Sequence, residues 1–111
     1  MSGGIAILFW CYRDLPVCEN RIAGLRRLNP GTRIFVLYGG PNGDADRFRN
    51  ALAPVVDDFY GFDREVSSTW KWRNGDLMLA DWFDRRGKDL EWDHVFIVQW
   101  DMLVLAPLRD L

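Results

Sequence analysis

A carboxylate follows an apolar segment near the end of the sequence. Residues 94–99 read HVFIVQ, and Trp100 and Asp101 come directly after them. A continuous apolar run is typical of a strand that is covered on both faces, so Asp101 is expected at the carboxyl end of a buried strand. Mg²⁺ and Mn²⁺ take oxygen ligands from one or two carboxylates and from substrate phosphates. Asp101 is therefore a candidate metal ligand. The alternative is an aspartate that caps the following turn by accepting backbone N–H groups.

Two cations, Lys71 and Arg73, lie near the start of a predicted helix whose N-cap candidates are residues 67–69. Cations in the first turn oppose the helix dipole, so local helix stability does not favour them there. A bound diphosphate would offset that cost, which makes both residues candidate phosphate contacts. The alternative is a pair of exposed cations that neighbouring acidic side chains balance.

A third group of candidates, Cys11, Tyr12 and Arg13, follows the apolar run at residues 5–10. An aromatic ring can stack on a nucleobase, and an arginine can pair with a phosphate. The alternative is that Arg13 is only solvated. Trp10, the last residue of the run, is expected in the core. The glycine-rich segment at residues 39–43 fits none of the phosphate-loop patterns and is predicted to be a tight turn.

Strands and helices alternate along the chain. The predicted strands are residues 5–10, 33–38, 55–60 and 94–99, and the predicted helices are residues 16–28, 44–52 and roughly 67–86. The third helix presents Trp72, Leu79, Trp82 and Phe83 on one face, although Gly75 makes a break near Asn74 plausible. This alternation predicts an α/β fold, a Rossmann-like and mostly parallel sheet with helices on both faces. Ligands of such sheets bind beyond the carboxyl ends of the strands, where the three groups of candidates would meet.

Two segments resemble a known family. Residues 93–108, DHVFIVQWDMLVLAPL, resemble the strand of GT-A fold glycosyltransferases that ends in Asp-x-Asp, and residues 7–40 resemble the first β-α-β unit of that family. The resemblance implies a nucleotide-diphospho-sugar donor, with Mn²⁺ or Mg²⁺ bound by Asp101. Gln99 stands where the family has its first acid, and it can form hydrogen bonds but supplies no charge. The donor contacts that the resemblance implies are Cys11, Tyr12, Arg13, Lys71, Arg73, Gln99 and Trp100.

The resemblance covers nearly the whole chain, and residues 1–111 are predicted to form a single nucleotide-sugar-binding domain. It implies that the acceptor pocket and the general base lie beyond Leu111, so that the chain is truncated at its C-terminus and its acceptor is unknown. Two other functions stay open: a non-catalytic nucleotide-binding module, and an α/β interaction domain whose exposed sheet edge pairs with another segment.

The net charge, the lengths of the apolar segments and the cysteine count indicate which classes of partner and site are not expected. The net charge of −2 argues against a nucleic-acid partner, which requires a basic face. No apolar segment is long enough to span a membrane, and a cytoplasmic location is expected. The two cysteines, Cys11 and Cys18, lack the second pair of ligands that a zinc site needs, so free thiols are expected.

Overall fold

The sheet has four strands, and helices cover both of its faces. The computed structural model describes residues 4–110, so residues 1–3 and 111 lie outside the described residues. The strands are β1 (Ile5–Cys11), β2 (Arg33–Tyr38), β3 (Asp58–Gly61) and β4 (His94–Gln99), and the α-helices are α1 (Leu15–Leu28), α2 (Ala45–Leu52), α3 (Ser68–Arg73) and α4 (Gly75–Arg85). The predicted fold class, a Rossmann-like α/β fold, is confirmed.

All strand pairs are parallel, in the order β3-β2-β1-β4. The chain therefore winds outward from β1 through β2 to β3 and then returns to place β4 on the other side of β1. The topological switch point lies between β1 and β4, which is where ligands of open α/β sheets bind. Trp10, near the end of β1, is in register with Leu37 of β2 and Gln99 of β4, so the carboxyl ends of these three strands meet at one edge.

The apolar strands bury both faces of the sheet. Ile7 and Phe9 of β1 pack with α1 and α2, whereas Ala6 and Leu8 pack on the opposite face with α4. These four side chains are fully buried. The continuous apolar run in β1 follows from this arrangement, since alternate residues point to two different cores.

Strands β2 and β4 have the predicted boundaries, and β1 is one residue longer because Cys11 pairs with Tyr38. The prediction for β3 began three residues too early. Val55 instead belongs to a single 3₁₀ turn after α2 that contains a proline, and it is half-exposed. Asp57 precedes the strand, and its carboxylate accepts the backbone N–H of Ile34 at 2.8 Å. Residues 55–57 were predicted to belong to the strand because of their apolar content. Val55 instead ends a proline-containing turn, and Asp57 uses its side chain to bind the backbone of β2.

The long predicted helix is broken at Asn74 into α3 and α4. Gly75 begins α4 directly against the indole ring of Trp10, and a Cβ there would lie 2.5 Å from Trp10 Cη2. The break allows α3 to have its own inward face, on which Lys71 is buried. The placement of Trp72 and Phe83 in the core was wrong, because their exposed fractions are 78% and 47%.

Two further expectations concern partners and thiols. None of the helices within residues 4–110 has the length and apolar composition that crossing a membrane would require. Cys11 and Cys18 are both free thiols, as expected, and both are buried.

Candidate functional site

A cleft of about 500 Å³ opens at the carboxyl ends of β1, β2 and β4. It lies on the face of the sheet that α3 and α4 cover, beside the switch point between β1 and β4. Three of the candidate residues, Tyr12, Lys71 and Gln99, line it together. The complete lining is Trp10, Tyr12, Gly39, Gly40, Pro41, Ser68, Lys71, Trp72, Met78 and Gln99.

Lys71 places a buried ammonium group in this cleft. The residue is only 4% exposed. Its Nζ donates hydrogen bonds to the backbone oxygen of Gly40 at 2.5 Å and to Oδ1 of Asn42 at 2.8 Å. An ammonium group has three N–H donors, so one remains for another acceptor. Within residues 4–110, Lys71 forms no ion pair. The expectation of an exposed cation is therefore wrong for this residue.

Burial lowers the pKa of Lys71, because the charged form loses hydration, while the negative charges of Glu65 and Asp63 act in the opposite direction. The hydrogen-bond partners of Lys71 are neutral oxygens, and its Nζ also lies 5.8 Å from the centroid of the Phe62 ring. These contacts solvate the ammonium group but carry no negative charge. An anion placed beside Nζ would both accept the remaining N–H and neutralise the charge. The electrostatics of the cleft therefore favour an anionic ligand.

The short helix α3 holds Lys71 at this edge. Its N-cap, Ser67, accepts the backbone N–H of Trp70 on Oγ at 3.0 Å, and its end is fixed by Asn74, whose Nδ2 donates to the oxygen of Trp70 at 2.8 Å. Trp70 stacks on Phe62, with ring centroids 5.9 Å apart. These contacts fix α3 at both ends, so the direction of Lys71 is set by the fold.

The Gly39–Gly40 pair supplies the wall of the cleft beside Lys71. A Cβ on Gly40 would lie 2.5 Å from the backbone oxygen of Tyr12 and 2.5 Å from the Tyr38 hydroxyl oxygen. That hydroxyl donates to the oxygen of Pro41 at 2.8 Å. Glycine is thus required at position 40 for close packing, and the carbonyl of the same residue accepts Lys71.

The rings of Tyr12 and Trp100 contact each other near the cleft, and the guanidinium of Arg13 lies over the Trp100 ring. The rings of Tyr12 and Trp100 meet edge to face at 5.7 Å, and the Arg13 guanidinium lies 6.0 Å from the Trp100 ring centroid. Arg13 also pairs with Asp14 at 3.3 Å. Only Tyr12 of these residues lines the cleft. Trp100 instead packs against the core on the face that α1 and α2 cover, where its ring contacts Tyr12 and Arg13.

Cys11 is placed differently from its predicted role. It ends β1 and does not belong to the following loop, and its side chain is fully buried on the face covered by α1. A hydrogen bond with Cys18 and burial both raise the pKa of its thiol. The side chain of Cys11 thus points away from the cleft. Arg73 is exposed on α3 and does not line the cleft either.

Asp101 lies at the same edge of the sheet as the cleft. The backbone N–H of Trp100 donates to the oxygen of Trp10 at 2.9 Å, which keeps the tip of β4 beside β1. Asp101 follows in an exposed turn and forms no ion pair with any residue from 4 to 110, while the side chain of Gln99 reaches the cleft. In that same part of the chain, no group of three His, Cys, Asp or Glu side chains is arranged to hold a metal ion.

No protein-family model matches the chain, and no curated protein has a significantly similar sequence.

Sequence reasoning missed two residues of the lining that matter chemically, Ser68 and Trp72. Ser68 was considered only as a helix cap, and Trp72 was assigned to the core because the helical period was continued through Gly75. A signal was present at that point, since glycine weakens a helix and Asn74 can end one. If a second helix is taken to begin at Gly75, Trp72 no longer has to share a buried face with Leu79 and Trp82.

The lowered pKa of Lys71 gives a pH-dependent stability. The ligand-free folded chain gives up this proton more readily than the unfolded chain, whose lysine titrates near the ordinary value of 10.5. Between the two pKa values the unfolded state binds more protons, so stability is expected to rise with pH there. Below the pKa of Lys71 in the folded chain, the full cost of the buried charge remains.

Urea unfolding at pH values between the two pKa values measures this effect on stability. Because other groups titrate as well, the comparison is with a Lys71→Met variant, which should lack this contribution. Parallel pH profiles would contradict it.

Proposed function

We propose that the cleft binds a nucleotide-diphospho-sugar, and that the chain is the donor-binding part of a glycosyltransferase of the GT-A type. The observation that carries this proposal is the buried ammonium of Lys71, which bonds the loop after β2 and has one N–H available, in a cleft that extends to the switch point between β1 and β4. A buried charge that forms no direct ion pair is costly, and a diphosphate would supply both negative charge and hydrogen-bond acceptors.

The size and lining of the cleft support the same ligand class. A volume of about 500 Å³ lies within the usual range for small-molecule and cofactor sites. Tyr12 offers a ring for the base, with Trp100 and Arg13 behind it. Lys71 lines the same cleft from α3 and would hold the diphosphate. The lining thus offers one aromatic and one cationic contact, as a nucleotide with its phosphates requires.

A divalent cation fits this proposal through Asp101. Mg²⁺ needs only one or two protein carboxylates when phosphates and water complete its shell, and Asp101 offers an exposed carboxylate without an ion pair among the described residues. Bound Mn²⁺ or Mg²⁺ would neutralise the negative charge that develops on the leaving diphosphate. Lys71 would meanwhile hold its proton at Nζ and orient the diphosphate. Gln99 would contribute hydrogen bonds from its amide.

Calorimetric titration with UDP- and GDP-sugars, with and without Mn²⁺, tests the proposal. An Asp101→Asn variant is expected to lose about tenfold in affinity when Mn²⁺ is present and little when it is absent, because the amide keeps the shape and removes the charge. The matched control is Asp84→Asn, an exposed aspartate of α4 that does not line the cleft. Absence of binding to any nucleotide-sugar in either condition would refute the proposed function.

One observation favours a second candidate, a non-catalytic nucleotide-binding module. The side chain that reaches the cleft from the tip of β4 is the neutral Gln99, at the position where the resembling family has an acid. A module that only binds the nucleotide needs hydrogen bonds there and no metal. Equal affinity with and without Mn²⁺, unchanged in the Asp101→Asn variant, would select this module over the transferase.

A further inference from the structure

Trp72 is a large aromatic side chain that the fold leaves exposed at the mouth of the cleft. Its exposed fraction is 78%, and it follows Lys71 directly in α3. Successive helical residues point about 100° apart, so one helix directs an ammonium group to the floor of the cleft and an indole ring to its mouth. Because the ring lines the cleft, its apolar face is available to whatever enters there.

Apart from Lys71, the polar groups that line the cleft with this ring are uncharged. Ser68 lies on α3 one turn before Trp72, and its hydroxyl can donate and accept hydrogen bonds. Tyr12 and Gln99, which the proposed function assigns to the donor, are the other neutral polar side chains of the lining. The charged group of the lining, Lys71, is buried at the floor. The mouth therefore combines an apolar aromatic face with neutral hydrogen-bonding groups.

This combination matches the chemistry of a sugar ring. A pyranose presents a patch of C–H groups on its face and hydroxyls around its rim, so it can lie against an indole while its hydroxyls bind neutral amides and hydroxyls. We infer that Trp72 is the stacking platform for a neutral carbohydrate, which identifies the acceptor class as a sugar or oligosaccharide. This inference rests on the proposed function, because it leaves the donor contacts as proposed above and assigns Trp72 to the acceptor, whose pocket the resemblance places beyond Leu111.

Titration with neutral oligosaccharides tests the inference. The probes are cellohexaose, maltohexaose and chitohexaose, added to the protein with and without saturating UDP or GDP, and binding is followed by calorimetry. Trp72→Ala is expected to weaken oligosaccharide binding by about tenfold or more and to leave nucleotide affinity unchanged, whereas Trp72→Phe retains an aromatic face and part of the affinity. The control is Phe83→Ala, which removes another exposed aromatic ring that does not line the cleft.

The outcomes separate this inference from the proposed function. If nucleotides bind and none of the three oligosaccharides does, or if Trp72→Ala leaves oligosaccharide affinity unchanged, the inference is overturned while the proposed function stands. A loss of nucleotide affinity in Trp72→Ala would make the ring a base-stacking residue and would also overturn the inference. If no nucleotide binds, the proposed function fails, and oligosaccharide binding that depends on Trp72 would still support the platform.

Discussion

Replacing Lys71 with methionine is expected to weaken the binding of UDP- and GDP-sugars by about ten- to a hundredfold, because a charge-assisted hydrogen bond to a phosphate contributes roughly 1.5–3 kcal/mol. The effect should be large because Lys71 is only 4% exposed and is the cation that lines the cleft. Water competes poorly for such a group, and salt screens it less than an exposed pair. Calorimetry at fixed pH and salt measures the change.

Two further variants make this result interpretable. Methionine leaves the Gly40 carbonyl without its donor, so Lys71→Gln is the second test, since it has an N–H donor and no charge. Both variants should lose affinity if the charge is responsible. The matched control is Arg73→Met, which removes an exposed cation from the same helix that does not line the cleft, and which should change affinity by less than about twofold. Equal losses for Lys71→Met and Arg73→Met would contradict a specific role for Lys71.

The strands could be predicted from the sequence because their signal is local. β2 and β4 are six-residue strands that contain apolar runs at residues 34–38 and 95–98, flanked by polar or glycine residues, and their boundaries agree with the prediction. For β3 this local signal failed, because the residues before it are fixed by a proline turn and by the bond from Ile34 to the Asp57 carboxylate. That bond joins positions 23 residues apart, a distance that periodicity does not report.

The order of strands and helices was enough to predict the edge of the sheet at which the site lies, but not which side chains enter it. Alternating strands and helices predicted that the segments after β1 and β4 meet at one edge, and the contact between Tyr12 and Trp100 confirms this. The division between Lys71 and Arg73 could not be predicted, since both are cations on one short helix. It depends on the break at Asn74, after which Gly75 packs directly against Trp10, a residue 65 positions earlier in the chain. Long-range packing of this kind decides which side chain enters the cleft.

Replacing Gly40 with alanine is expected to destabilise the fold by about 1–3 kcal/mol, the usual cost of forcing an extra group into a packed interior. The added Cβ would lie 2.5 Å from the Tyr12 backbone oxygen and 2.5 Å from the hydroxyl oxygen of Tyr38, whose side chain is fully buried. Neither atom can move easily, because Tyr12 continues directly from β1 and the Tyr38 hydroxyl is bonded to Pro41.

The same change should impair the cleft, because the Gly40 carbonyl accepts Lys71 Nζ. Urea unfolding measures the stability change, and nucleotide titration measures the effect on binding. Gly43→Ala is the matched control, since a Cβ at this position of the same loop would meet no atom within 4 Å. Alanine lowers the conformational entropy of the unfolded chain at position 43. The free energy of unfolding should therefore stay unchanged or rise by less than about 1 kcal/mol. If Gly40→Ala proved as stable as Gly43→Ala, the close approach of Tyr12 to Gly40 could not be the feature that shapes this wall of the cleft.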